Sequence, residues 1–360
     1  MKKFEGYMAG ANFGHWLSQA RFGACDSETE QERYEFENRY FDTFMTEFDF
    51  KQVSEWGLDH IRLPVDYFHF EKDENPGVYD EKRLGYIDYA LEMCKKYGLN
   101  MILDLHHAPG FTFNAGYDTD KNNLFGDPAK KQRYINIWKM FANRYKAEGA
   151  NIAFELLNEL VIPDISLWNS LWKETAEEVL KISPDRKIII GGNNWNAIEH
   201  LQYIDFDLRD NFVYNFHTYE PYLFTHQRAE WNPNTDGYKR TVTYPFDYSE
   251  HRKYIDACVP MTLPYYAKLD RADKNFMYMY FEDAKKLQDE YDLTLYCGEY
   301  GVYSYADDQS AERWLDDTTS ILCEMGIGHA VWNYCGFSRI IDADDHSKYN
   351  KKMVEYISRK

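Results

Sequence analysis

The chain has 360 residues, enough for one large α/β domain or two ordinary ones, and length alone does not choose between them. Asp and Glu number 60 against 41 Lys and Arg, a formal charge of −19 that opposes binding to nucleic-acid phosphates or an anionic membrane surface and favours a neutral partner. The N-terminal Met1-Lys2-Lys3-Phe4-Glu5-Gly6-Tyr7 lacks the apolar stretch of a signal peptide, no run approaches the length of a membrane span, and no Asn-x-Ser/Thr sequon occurs. The expectation is a cytoplasmic protein, or a secreted one if a leader has been removed. The 6 cysteines, at positions 25, 94, 258, 297, 323 and 335, show no CxxC spacing and read as reduced thiols or inert packing residues.

Strand-like and helix-like patterns alternate along the whole chain. Gly6 to Gly14 (GYMAGANFG) gives a first strand and is followed by a helical pattern ending near Trp56-Gly57. His60-Ile61-Arg62-Leu63-Pro64-Val65 gives the second. Helical periodicity from about Asp80 to Tyr97 stops at Gly98, a C-terminal signal, before the third strand, Asn100 to His107 (NMILDLHH). Asp127-Pro128 opens a helix to about Lys146 with an N-cap and a first-turn proline. The fourth strand, Ile152 to Glu159, is an apolar run that ends abruptly in the polar pair Asn158-Glu159.

Asp164 then caps an amphipathic run through Lys181 with Leu167, Leu171, Trp172, Ala176, Val179 and Leu180 on one side. Lys187 to Asn194 (KIIIGGNN) and Asn211 to Tyr219 (NFVYNFHTY) are the fifth and sixth strands. A helix from about Asn275 to Tyr291 leads into the seventh, from Leu293 to Glu299. A helix from Ser310 to Met325 precedes the eighth, His329 to Gly336 (HAVWNYCG), and a last helix starts near Ser347. Eight such alternations predict an α/β fold, a (β/α)8 TIM barrel in a single domain over residues 1–360. A doubly wound open sheet is the rival, and the absence of a GxGxxG opening a helix after the first strand weighs against it.

The connection from Tyr219 to Leu293 far exceeds the roughly 30 residues of an ordinary barrel crossover. Its excess, approximately 220–270, is rich in Tyr222, Phe224, Trp231, Tyr238, Tyr244, Phe246, Tyr248 and Tyr254. It is expected to form an inserted subdomain between strand 6 and helix 6, either a roof over the barrel mouth or a packed decoration.

Sites in barrels of this kind lie at the C-terminal strand ends, and polar residues collect there. Strand two carries Arg62, three ends at His106-His107, four at Asn158-Glu159, five at Asn193-Asn194, six at His217 and Tyr219, seven at Glu299 and eight at Trp332-Asn333. Glu159 and Glu299 are expected to project into one cleft from opposite walls, the pair of carboxyls that glycoside hydrolysis needs, one protonated and one ionised. Arg62 and the Tyr219 hydroxyl, where they reach Glu299, hold it anionic, while Glu159 beside that negative charge keeps its proton. Aromatic residues make up 18% of the chain, including 31 Tyr and 9 Trp, and such rings suit the C–H faces of sugars or a Tyr-rich surface equally. His106 and His107 cannot both ligate one metal from a regular strand, no HExxH appears, and Gly191-Gly192 lacks a P-loop Lys-Ser/Thr, so neither a metal nor a cofactor is expected.

The endings LLNE, YNFHTY, CGEYG and AVWNY, with GANFGHWLSQ, HIRLPVDY and LDLHHAPG upstream, resemble glycoside hydrolase family 5, the former cellulase family A, over nearly the whole chain. Within it the likeness is to the bacterial endoglucanase C type, which carries a helical subdomain after strand six. The resemblance implies that Glu159 is the acid/base and Glu299 the nucleophile. It implies that Arg62, His106, Asn158, His217, Tyr219 and Trp332 bind substrate or support these two, with Asn158 on the sugar 2-hydroxyl, Trp332 as the floor of the cleavage site and His217 beside the acid. Adjacent strand residues face opposite ways, so one of His106 and His107 is expected to pack behind the wall. Asn12, His15, Trp16, Asn194, His226 and Trp231 are further candidates for sugar contacts, each equally open to a structural role. The implied activity is a retaining endo-β-glucanase acting on β-1,4-glucan or mixed-linkage β-1,3/1,4-glucan polysaccharide or oligosaccharide. The alternatives are a β-mannanase, an exo-acting β-glucosidase on short oligosaccharides and, from another class, a non-catalytic sugar-binding barrel.

Overall fold

The computed structural model describes residues 2–20, 29–258 and 269–360. Cys25 and residues 259–268 of the expected insertion lie outside the described residues. Eight parallel strands close into a barrel: β1 (Ala9–Asn12), β2 (His60–Asp66), β3 (Asn100–His107), β4 (Ile152–Glu155), β5 (Ile188–Gly191), β6 (Phe212–Thr218), β7 (Leu295–Tyr300) and β8 (Gly328–Val331). Each neighbours its successor, and β8 pairs with β1 to leave no edge.

The helices begin where the sequence signals them. Asp127 caps Pro128–Arg144 by accepting from Ala129 N–H, Asp164 caps Ile165–Ile182 through Ser166 N–H, and Gly98 ends Glu81–Tyr97 in the left-handed conformation at φ 68°. The buried stripe of Ile165–Ile182 is Trp168, Leu171, Trp172, Thr175, Ala176 and Val179. Leu167, expected on that stripe, is exposed at its edge, because the spacing centres on Trp168 and Trp172 one turn apart. Among the described residues Cys94, Cys297, Cys323 and Cys335 are free, and no helix is long and apolar enough to cross a membrane.

Side chains fill the barrel in layers set by the two-residue period of its strands. The floor is apolar: Ile102, Ala153, Ile189, Val213, Tyr296 and Ala330 pack with Phe4 and Tyr7 from the N-terminal segment, which stop the barrel from below. Two residues further along three of these strands the character inverts: Ile102 gives way to Asp104, Ala153 to Glu155 and Val213 to Asn215, and Arg62 joins them from β2, all buried. Glycines make room for these polar groups, since a Cβ on Gly191 would lie 2.3 Å from Asn196 Oδ1 and one on Gly298 would lie 2.7 Å from the Asn215 amide.

Between β6 and the helix Lys274–Tyr291, the chain forms short helices at Tyr222–Thr225 and Pro233–Asp236 and a longer one at Tyr248–Cys258. A two-stranded antiparallel pairing of Phe246–Asp247 with Arg271–Ala272 accompanies them. Phe224, Tyr244, Phe246 and Tyr248 are buried, and they continue the apolar core that lies between the barrel and its helices. It is tied to the helix Asp308–Glu324 by Tyr244 Oη donating to Asp317 at 2.9 Å and by Trp314 Nε1 donating to the Glu220 carbonyl at 2.8 Å.

The floor predicts a cost for added volume. A Cβ on Gly10 would sit 2.4 Å from His60 Nε2, and that ring is held on both sides by Asp59 at 2.7 Å and Tyr296 Oη at 2.7 Å. Gly10→Ala should therefore destabilise the fold by about 1–3 kcal/mol, read as a lower midpoint of denaturant unfolding; an unchanged midpoint would mean that the floor yields freely.

Candidate active site

At the C-terminal mouth, β4, β5 and β8 stop before the polar residues that the sequence pattern assigned to them. The physical reason lies in the backbone. Glu159 has φ 38° and Asn194, Trp195 and Asn196 have φ 55–56°, conformations that no strand allows and that re-aim successive side chains. This turn lets the adjacent Asn158 and Glu159 both reach the barrel axis.

Register shifts do the same on two other strands. Phe216 pairs with Cys297, but His217 pairs with Glu299, so the shift turns Glu299 inward beside His217. On the opposite side Val65 pairs with Leu105 and Asp66 with His107. The expectation that one of the two histidines packs behind the wall is corrected here, since the irregular pairing cancels the alternation. His106 Nδ1 meets Asp104 Oδ2 at 2.7 Å, and its ring lies parallel to Trp332 at 5.6 Å. His107 Nδ1 meets Asp66 Oδ1 at 2.5 Å and its ring lies 4.9 Å from that of Phe113, lining an open pocket of roughly 630 Å³ with Phe68, Lys130 and Arg133.

Arg62 is the hub. Its Nε and Nη2 donate to the two oxygens of Glu155 at 2.6 and 2.8 Å, Nη1 donates to Asn12 Oδ1 at 2.9 Å and Glu299 Oε1 at 2.8 Å, and Nη2 also donates to Asn158 Oδ1 at 2.9 Å. Asp104 Oδ2 lies 3.0 Å from Nη2. Asn12, a sequence candidate for sugar contact, instead clamps this guanidinium while its amide donates to the carbonyl of Gly298 at 2.9 Å.

The two glutamates come together above this hub. Ligand atoms of Glu159, His217 and Glu299 all lie within 4.8 Å of one another. Both oxygens of Glu299 are held, Oε1 by Arg62 and Oε2 by the Tyr219 hydroxyl at 2.7 Å. Glu159 Oε1 faces His217 Nδ1 at 3.0 Å. This is the one trio of acidic, thiol or imidazole side chains among the described residues with atoms close enough to share a metal. With both Glu299 oxygens already accepting hydrogen bonds beside a guanidinium, a second cation is disfavoured there.

The charges are unequal. Burial pushes the Glu159 carboxyl well above the usual carboxylate range, and the charge of Glu299 pushes it further. Burial also raises Glu299, but Arg62 and the Tyr219 hydrogen bond pull against that rise, so the proton of the pair resides on Glu159. Burial lifts Asp104 to about 7 and raises Glu155. It lowers His106 to about 3 and His217 well below its ordinary value, and the charge of Arg62 adds to both effects, so both rings are neutral.

Among the remaining sequence candidates, Trp16 is fully buried with Nε1 donating to the Phe41 carbonyl at 2.9 Å, which places it in the core without a face for a ligand. His15 (φ 67°) is edge-on to Trp332 at 6.2 Å. His226 stacks on Tyr222 at 4.2 Å and meets Tyr219 edge-on at 4.8 Å, while Trp231, 55% exposed, stands against Tyr303 at 4.6 Å. On another part of the rim Tyr117 Oη donates to Asn194 Oδ1 at 3.3 Å, and the exposed rings of Tyr117 and Trp195 meet edge to face. Sequence reasoning missed Asp104, Glu155, Asn196 and Asn215. A charge within an apolar strand was the available signal for the first two, and the same-face position two residues before His217 for Asn215.

Removing the hub tests this arrangement. Arg62→Met leaves buried carboxyls without their counter-charge and should cost about 3–5 kcal/mol in denaturant unfolding at neutral pH. A loss below ~1 kcal/mol would show the carboxyls to be neutral without Arg62.

Comparison with known proteins gives a consistent result. A family model described as Cellulase (glycosyl hydrolase family 5) matches residues 25–338. The chain is 38% identical over 355 residues to Endoglucanase C of Acetivibrio thermocellus, covering 98% of each. It is 32% identical over 342 residues to Cellodextrinase A of Ruminococcus flavefaciens, covering 94% of this chain and 88% of the relative. Among solved structures, a hyperthermophilic endo-beta-1,4-glucanase in complex with substrate aligns with TM-score 0.73 at 22% identity over 99% of both chains. Thermotoga maritima Cel5A in complex with mannotriose aligns with TM-score 0.73 at 23% identity over 99% of this chain and 100% of that one.

Proposed function

The chain belongs to the cellulase family, glycosyl hydrolase family 5, and from that premise we propose that it is a retaining endo-β-glucanase that cleaves β-1,4-glucosidic bonds in cellulosic or mixed-linkage β-1,3/1,4-glucan. The observation that carries this reading is the pair of carboxyls, with oxygens of Glu159 and Glu299 within 4.8 Å and their charges set apart by different neighbours. That spacing suits direct attack by one carboxylate and leaves no room for a water between enzyme and sugar, as inversion requires.

In this mechanism Glu299, kept anionic by Arg62 and Tyr219, attacks the anomeric carbon while Glu159 gives its proton to the departing glycosidic oxygen. The positive charge that develops on the sugar is met by Glu299 itself. Asn158, whose Oδ1 is fixed on Arg62, presents Nδ2 to the 2-hydroxyl, a contact that strengthens in the transition state. Trp332 forms the floor, held by its parallel packing with His106 and by Gly301, where any Cβ would lie 2.2 Å from the Trp332 carbonyl. Once Glu299 is esterified its charge is gone, so the pKa of Glu159 falls and the same carboxylate takes a proton from the water that releases the sugar.

The segment at approximately 220–270 is proposed to wall one side of the cleft through His226 and Trp231, and Tyr117 with Trp195 another. A second reading, action on short β-1,4-oligosaccharides, is favoured by the similarity to Cellodextrinase A. A panel of barley glucan, carboxymethyl cellulose, laminarin, mannan and cello-oligosaccharides separates the two. Endo action drops the viscosity of carboxymethyl cellulose before reducing ends accumulate, whereas activity confined to the oligosaccharides favours the second. Binding without release of reducing ends from any of them would leave a sugar-binding barrel.

Two variants test the roles. Glu299→Ala should lose turnover, and azide should restore it on an aryl cellobioside as a glycosyl azide of inverted configuration; near wild-type rates would remove Glu299 from the nucleophile role. Glu159→Ala should slow β-glucan by about 100-fold or more while sparing substrates with acidic aryl leaving groups; equal losses on both would count against the acid. The pH profile of kcat/KM should be bell-shaped. Glu159 must be protonated for the first step, so activity is lost as pH rises through its raised pKa; hydrolysis of a preformed glycosyl-enzyme needs the same group ionised and should instead show an acidic limb, at a pH below that basic limb because the neighbouring charge is absent. An acidic limb at the same pH as the basic limb of kcat/KM would uncouple the two carboxyls.

A further inference from the structure

The imidazole of His217 faces Glu159, and what it offers that carboxyl depends on which ring nitrogen carries the proton. Asn215 settles the matter by geometry. Two amides face the far nitrogen of the ring, Asn196 Nδ2 at 3.4 Å and Asn215 Nδ2 at 3.3 Å, and for Asn215 the orientation is fixed, because its Oδ1 accepts from the Gly298 backbone N–H at 2.8 Å, a group that can only donate. Nδ2 donates to Glu155 Oε1 at 2.8 Å, an oxygen already paired with Arg62, and faces His217 Nε2 at 3.3 Å with its other hydrogen. A nitrogen approached by an N–H can only accept. Burial and the nearby Arg62 keep the ring neutral, so its single proton must sit on Nδ1, the atom 3.0 Å from Glu159 Oε1 and 3.7 Å from Glu299 Oε2.

We propose that Asn215 is a positioning residue for the acid, locking His217 in the Nδ1–H tautomer so that the imidazole donates to Glu159 throughout the cycle. The proposal rests on the acid/base role of Glu159 given above. In the first step the proton of Glu159 passes to the glycosidic oxygen, the bond from that oxygen to the anomeric carbon breaks with its electron pair on oxygen, and the carboxylate left behind receives the Nδ1–H bond. In the second step that carboxylate takes a proton from water as the water oxygen bonds to the anomeric carbon and the bond to Glu299 breaks with its electron pair on the carboxylate, and the same hydrogen bond remains. His217 gives up no proton in either step. The wrong tautomer would turn a lone pair toward Glu159, favour its protonated form and weaken it as an acid. Asn215 has little freedom to turn, because Gly298 packs directly against its amide.

The tautomer can be read by long-range ¹H–¹⁵N NMR on the histidine-labelled enzyme, with His217 assigned by its absence from a His217→Gln spectrum. Wild type should show a protonated Nδ1 and an unprotonated Nε2. Asn215→Asp replaces the donor with an acceptor against Nε2 and should move the proton there. It should slow β-glucan hydrolysis by about 10- to 100-fold, spare 2,4-dinitrophenyl cellobioside and raise the basic limb of kcat/KM. A wild-type ring protonated at Nε2 overturns the proposal, as does an Asn215→Asp ring still protonated at Nδ1 with an unchanged pH profile. If Asn215→Asp fails to fold, the wild-type spectrum decides the tautomer and Asn215→Ser carries the kinetic comparison. The spectrum needs no substrate, so failure of the lock is distinguishable from failure of Glu159 as the acid.

Discussion

One guanidinium, fully buried inside the barrel, fixes the terms for everything above it. Arg62 touches Glu155, Asp104 and Glu299 and orders Asn12 and Asn158, so a single positive charge faces more carboxyls than it can neutralise. The shortfall has to be met by protons, and geometry decides where they go. Arg62 and Tyr219 pull Glu299 toward its charged form, burial lifts Asp104 to about 7 even beside the guanidinium, and Glu159, which Arg62 does not touch, takes the proton of the catalytic pair. Such a cluster adds little net stability, because desolvating the ions offsets most of their attraction. What it provides is a fixed division of labour between two chemically identical side chains.

That division is inherited from the layering of the barrel. A two-residue step along β3, β4 and β6 converts an apolar floor into a polar tier, and the low-polarity surroundings below make each charge above count for more. The tier is also rigid, since Asn12 and Asn215 each bond to backbone atoms of β7 as well as to a charged or ring partner. Glu299, on the same strand, is therefore held through its backbone neighbours as well as through its own carboxylate.

Much of this was legible in the sequence, for a physical reason. A strand that enters as Ile-Ala-Phe and leaves as Asn-Glu announces that its end is not core, and the same signature at His217, Glu299 and Trp332 located the mouth. Less legible was which way those ends point. Glu299 and His107 face inward only because the pairing slips by one residue on β7 and on β3, and Glu159 only because its φ is positive, irregularities that composition and periodicity do not encode. Trp16 was open in the sequence between a sugar contact and a structural role, and only the engagement of its N–H with the Phe41 carbonyl in the interior favours the second. Asp104 and Glu155 were overlooked because they lie deeper in the barrel than the residues at its mouth, at a level where a carboxylate is tolerable only with a partner brought from β2.

The N-terminal stopper has a consequence for how the charged tier communicates with bulk water. Phe4 and Tyr7 close the barrel from beneath with stacked rings 4.2 Å apart, and neither is more than marginally accessible. Hydrogen ions reaching or leaving the cluster must therefore travel through the mouth, the passage that a polysaccharide chain would itself fill. An occupied cleft then acts as a gasket: the proton on Glu159 when the chain settles is the one delivered to the departing oxygen, and exchange with the medium resumes when the leaving group goes and water enters.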